Sequence, residues 1–98
     1  MIAAALVLVS LGSAEELATC AALWHGYADF ARVSAYLDGE DEARQTAEAF
    51  ARRAGLPASV ADQRPGMYLL VRAAIEGDRM SRDLFERQMQ DCDALRDD

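Results

Sequence analysis

Two cysteines and one histidine are the groups in this chain best suited to covalent or metal chemistry: Cys20 and Cys92 near opposite ends, and His25. On paper the three make a zinc ligand set. Cys20 and His25 are five positions apart, however, which puts them on different faces of a helix. The same spacing weakens a nucleophile–base pair, and no third residue is marked to orient the base. There is no C-x-x-C redox motif and no C-x-x-C-H haem attachment. A disulfide is the reading that uses both sulfurs. It would close a loop of roughly 70 residues, for which the chain-entropy model gives about 4 kcal/mol, a large share of a small fold's stability. We expect a Cys20–Cys92 bond, no metal and no cofactor.

The remaining polar residues form no catalytic constellation. Asp38, Glu40, Asp41 and Glu42 share only their charge with a calcium loop, whose twelve-residue ligand spacing is missing. Glu76, Asp78, Asp83 and Asp91 are spread along polar helix sides, and paired carboxylates need a cleft between them. The sequence holds no G-x-G-x-x-G, P-loop, G-x-S-x-G or H-E-x-x-H. The expectation is a protein that is not an enzyme. Trp24 is expected to anchor the core, since one large aromatic fills what alanines leave empty. Trp24, His25, Tyr27, Tyr36 and Tyr68 are also the candidate partner or groove contacts. His25 lies four residues before Asp29, and partial burial there would make it respond to pH at about 6 to 7.

Composition narrows the partners. The chain has 98 residues, enough for a single domain, and is 52% hydrophobic. Much of that fraction is alanine, which buries little area, so a covalent staple would help. Seventeen acidic residues face ten basic ones, all arginine, for a net charge of −7. Such a surface repels nucleic acid phosphates and anionic membranes, and suits a protein partner.

Residues 2 to 11, IAAALVLVSL, are apolar apart from Ser10, and Gly12, Ser13 and Ala14 follow before Glu15 and Glu16. This matches a secretory signal cut after Ala14, and the run is too short to cross a bilayer as a helix. No Lys or Arg precedes it, which counts against a signal. The alternatives are the first packed helix of a cytosolic bundle and a retained anchor. A lipidated Cys20 fits poorly, because Thr19 precedes it and two glutamates interrupt the apolar run. With the signal removed, the mature chain starts at Glu15, in the bacterial periplasm or outside the cell, where disulfides persist.

Four helices are expected to position these residues, at about 15–37, 40–54, 66–76 and 82–95, in an all-α bundle of three to four helices, orthogonal or up-down. The first has apolar residues on two adjoining faces, as a central helix does. Gly26 within it allows another helix to come close. Gly39 is expected to end the first helix, and Gly55 to cap the second just before Pro57. Pro65 is read as the first residue of the third. Ser81 is read as the N-cap of the fourth, with Met80 and Phe85 as a hydrophobic staple. No strand pattern or repeat occurs.

The leading functional expectation is a small exported acidic helical protein that binds another protein, as an accessory subunit, inhibitor or immunity-type factor, with weak self-association in addition. One alternative is an acid-responsive periplasmic chaperone, in which protonated carboxylates leave ten arginines unopposed and loosen the bundle. Another is a cytosolic bundle subunit that is never exported.

Overall fold

Helix α1 (Ala14–Val33) organises the molecule. Its start is fixed by a capping box: the Glu16 N–H donates to Ser13 Oγ at 3.0 Å, and the Ser13 N–H donates to Glu16 Oε1 at 2.8 Å. These two bonds satisfy donors that the first turn leaves unpaired. Beyond the cap, Leu17, Ala18, Cys20, Ala21, Ala22, Leu23, Gly26, Ala28 and Ala31 are all buried. Small side chains dominate this set, so neighbouring helices reach α1 from several sides, as its two apolar faces predict.

The computed structural model describes residues 12–96, in which three further helices follow: α2 (Glu40–Ala54), α3 (Pro57–Ile75) and α4 (Arg79–Ala94). Among the described residues there is no strand, and the fold is an all-α four-helix bundle. Helices α2 and α3 both run along α1 but barely touch each other, whereas α4 packs against α3 and more lightly against α1. Residues 1–11 of the expected signal lie outside the described residues. A cut after Ala14 falls at the first residue of α1 and would remove Ser13, the cap.

The seam between α1 and α3 is tight at Gly26. A Cβ placed there would lie 2.7 Å from the backbone of Met67 and Tyr68, so α3 crosses at a distance that only glycine permits. Towards the start of both helices the seam is polar. The Thr19 hydroxyl donates to Gln63 Oε1, Gln63 Nε2 donates to Ser59 Oγ, and the Ser59 hydroxyl donates to Glu15 Oε2, at 2.9, 3.1 and 3.1 Å.

Cys20 and Cys92 form the expected disulfide, with Cα atoms 5.6 Å apart and a sequence separation of 72. Both are buried within the core cluster, alongside Leu17, Leu23, Phe50 and Val60. Cys92 is the only buried residue of α4, and Phe85, Met89 and Leu95 pack against the cluster more partially.

Helix α2 occupies its expected span, and Gly55 takes the left-handed conformation (φ 65°) while its N–H donates to the Ala51 carbonyl. Other expectations need correction. Helix α1 ends at Val33 rather than 37, because the Ser34 hydroxyl accepts the Tyr36 N–H at 3.0 Å and turns the chain. Local bonds of this kind compete with helix continuation. Gly39 accordingly sits at the N-cap of α2 and not at the end of α1. Helix α3 begins at Pro57, nine residues ahead of the expected 66, with Pro65 inside it. Pro57 suits the first turn, where its missing N–H is not needed. Helix α4 begins at Arg79, capped by Asp78 instead of Ser81: Asp78 Oδ2 accepts from the Ser81 N–H at 2.9 Å and from its hydroxyl at 2.6 Å. Those two bonds hold the Asp78 carboxyl below its usual range, the hydroxyl contributing most. Met80 is 82% exposed, so it makes no staple with Phe85.

Candidate functional site

Because α2 and α3 lean on the same helix without closing on each other, a groove of about 740 Å³ opens between them above α1. One face of α3 forms most of it. Pro57, Val60, Ala61, Arg64, Pro65, Tyr68 and Leu69 line the groove, at the spacings of three and four that place residues on one side of a helix. Helix α1 contributes His25 and Asp29, and α2 contributes Ala51. Pro65 has no N–H to give the carbonyl of Ala61, so α3 is locally weakened at this face. Its hold on α1 through Gln63 and Arg64 on the preceding turn keeps it helical.

Charges from three helices meet at Asp29. Arg64 of α3 donates from Nε to Oδ2 at 2.7 Å and from Nη2 to Oδ1 at 2.8 Å, a bidentate pairing that fixes both side chains. Arg44 of α2 lies 3.6 Å from Oδ1 and bonds Glu40 at 3.0 Å. The Arg64 hydrogen bond, with help from the charges of Arg64 and Arg44, holds the Asp29 carboxyl below its ordinary range, and burial opposes this.

His25 sits one turn before Asp29. Burial, followed by the positive charge of Arg64, pushes its pKa below the ordinary value of 6.5, while Asp29 and Glu48 partly offset the shift. Its Nδ1 is buried with no hydrogen-bond partner among the described residues. The imidazole is therefore favoured in its neutral form, as a partly apolar surface of the groove.

The candidate contact residues divide. His25 and Tyr68 come together in the groove, where the Tyr68 ring meets Phe30 edge-on at 5.9 Å. Trp24 and Tyr27 lie towards α4: their rings are 5.6 Å apart, and Tyr27 stacks on Phe85 at 6.5 Å. Trp24 is half-buried against the core, with Arg96 6.0 Å from its ring. Its Nε1 has no hydrogen-bond partner among the described residues. Tyr36 stands 87% exposed in the link between α1 and α2 and has a ring contact with neither group.

Arg64, Pro57 and Leu69 were not singled out in the sequence, because a third helix expected to start only at 66 splits the face that these residues share. The signal was present in the run of residues 57, 60, 61, 64, 65, 68 and 69, a helical stripe that crosses a proline.

Both sulfurs belong to the disulfide, so neither is available as a zinc ligand or as a nucleophile beside His25. Among the described residues no three His, Cys, Asp or Glu side chains are grouped to hold a metal ion, and no helix is long and apolar enough to cross a membrane. The groove offers a mainly apolar α3 wall, a neutral imidazole and a fixed Asp29–Arg64 pair. That is a surface for recognising an apolar group with a polar edge. Comparison with family models, curated proteins and solved structures finds no match to this chain.

Proposed function

We propose that this chain is a small exported helical protein that acts by binding another protein, as an accessory subunit, inhibitor or immunity-type factor. The observation that carries the binding role is the groove between α2 and α3: among the described residues nothing covers the outer part of the α3 face that lines it, where Leu69 is 59% exposed, on an otherwise stapled fold. Small soluble folds normally cover such a face unless a partner does so. Support for export comes from the buried disulfide, since such bonds form and last in oxidising compartments. The signal-like opening agrees with it.

Two measurements test the proposal. The intact mass of the protein from its native host is expected to lack residues 1–14 and to be lighter by two hydrogens for the disulfide. Met1 retained with both thiols free would instead support a cytosolic bundle subunit. Mild crosslinking in the native compartment is expected to give a discrete hetero-complex, and recovery of the monomer alone contradicts a binding role.

The meeting of charges at Asp29 favours one second reading, the acid-responsive chaperone. Acid would protonate His25 between two arginines and then neutralise the carboxylate that joins α1, α2 and α3. An apolar dye followed from pH 7 to 3 decides this: dye uptake with helix retained supports the reading, and no uptake removes it.

A further inference from the structure

We propose that the groove between α2 and α3 takes an amphipathic helix from the partner, with its apolar edge against α3 and a Lys- or Arg-bearing edge against α2. The inference rests on the protein-binding reading and specifies what that partner presents. Its basis is the shape and the asymmetry of the groove.

The lining stripe runs from Pro57 to Leu69, which at 1.5 Å per residue is about 18 Å. A trough of that length, flanked by two helices that share a third as floor, is where a further helix packs in a bundle. Helix-in-groove recognition uses the same repeat of apolar anchors on the incoming segment.

The two walls differ in chemistry. The α3 wall is apolar apart from Arg64, which Asp29 holds in a bidentate pair. On the α2 side Ala51 lines the groove, and the helix turns polar beyond it: Glu48, Arg44 and Glu40 share its face at steps of three, four and four towards the start of α2. Glu40 pairs with Arg44, whereas Glu48 takes part in no ion pair among the described residues. Glu48 stands one turn before Ala51, which lines the groove, and its charge favours the protonated form of His25. One unpaired carboxylate on this wall, in a chain of net charge −7, selects a cationic edge.

The probe for the experiment is a synthetic 14-residue Leu/Lys amphipathic helical peptide, with a Leu/Glu peptide of the same apolar pattern as its counterpart. Each is titrated by fluorescence anisotropy against the disulfide-intact protein expressed from its full sequence. The Leu/Lys peptide is expected to bind and the Leu/Glu peptide to bind at least about tenfold more weakly. Leu69→Asp is expected to weaken the Leu/Lys peptide about tenfold, as loss of a central apolar anchor does. Glu48→Lys is expected to weaken it several-fold, whereas Asp83→Lys on α4, with the same change of net charge, leaves it unchanged. Circular dichroism confirms that each variant is folded; both Leu69 and Glu48 are exposed.

Equal weakening by Glu48→Lys and Asp83→Lys overturns the proposal in favour of non-specific attraction. Binding unaffected by Leu69→Asp overturns it by placing the peptide elsewhere. No binding of the Leu/Lys peptide also overturns it, whether a second copy of the chain or residues 2–11 fill the groove. None of these outcomes touches the broader binding role, which the crosslinking experiment tests separately.

Discussion

Helix α1 has two flanks that are finished in opposite ways. On one, α4 is fastened by the Cys20–Cys92 bond, the Tyr27–Phe85 stack and the Arg96–Trp24 contact. On the other, α2 and α3 leave the groove open and tie its floor with the Asp29–Arg64 pair. The closed flank has little core to work with: α4 buries only Cys92, against nine buried residues in α1. A covalent bond supplies there what side-chain area does not. The open flank keeps its apolar residues on a helix that is already anchored through Gly26. The contrast sets a side fastened covalently against a side left open, and the proposed function puts binding on the open one.

Removing the staple is the harshest way to break this contrast. Cys20→Ser with Cys92→Ser is expected to cost about 4 kcal/mol, from the loop that the bond closes over a sequence separation of 72. Urea denaturation at neutral pH measures it. Gly26→Ala comes next. Its Cβ meets the α3 backbone at 2.7 Å, so the helices must separate, at about 2 to 3 kcal/mol. Gly66→Ala, on the same helix as that backbone but with nothing within 4 Å, is expected to stabilise by about 0.5 kcal/mol. A denaturation midpoint that moves equally in both variants would mean that the seam is looser than described.

Smaller effects sharpen the comparison. Ser13→Ala removes the capping box of α1 and is expected to cost about 1 kcal/mol. A signal cut after Ala14 imposes the same loss on the mature chain. Leu69→Asp and Met80→Ser, both on exposed residues, are expected to change stability by less than about 0.5 kcal/mol. A large loss in Leu69→Asp would move that residue from recognition to the core.

The pH dependence follows from His25 and Asp29. The folded-state pKa of His25 lies below 6.5, so the unfolded chain takes up the proton first as acid is added. Stability therefore falls with pH from about 6.5 downward and levels off once folded His25 is protonated as well. Asp29, whose pKa is depressed below 3.8, contributes above that value, and its share is lost as pH falls through the depressed pKa. His25→Asn is expected to flatten the profile between pH 7 and 5 while leaving the steeper acid limb. An unchanged slope in that variant would show that His25 is solvated.

Features with a local origin were legible in the sequence. The span of α2, its Gly55 cap and the inward set of Cys20 and Cys92 follow from periodicity and turn chemistry, and the close approach at Gly26 from one glycine among larger residues. What was not legible depends on contacts distant in sequence. Pro65 reads locally as the first residue of a helix, with a break before it, yet Gln63 and Arg64 hold the preceding stretch to α1 across 44 and 35 residues, and the helix runs through the proline. The groove was hidden for the same reason, since its main wall is the half of α3 that those prolines disguised. At α4, two caps of similar strength stand three residues apart, and Asp78 prevails by accepting both donors of Ser81.

Amide hydrogen exchange on the disulfide-bonded and reduced forms tests the division of labour most directly. Reduction is expected to abolish protection across residues 79–94 and in the α1 turns that face α4, while α2 and the groove half of α3 stay protected. Uniform loss of protection through all four helices, or none in α4, would contradict the account.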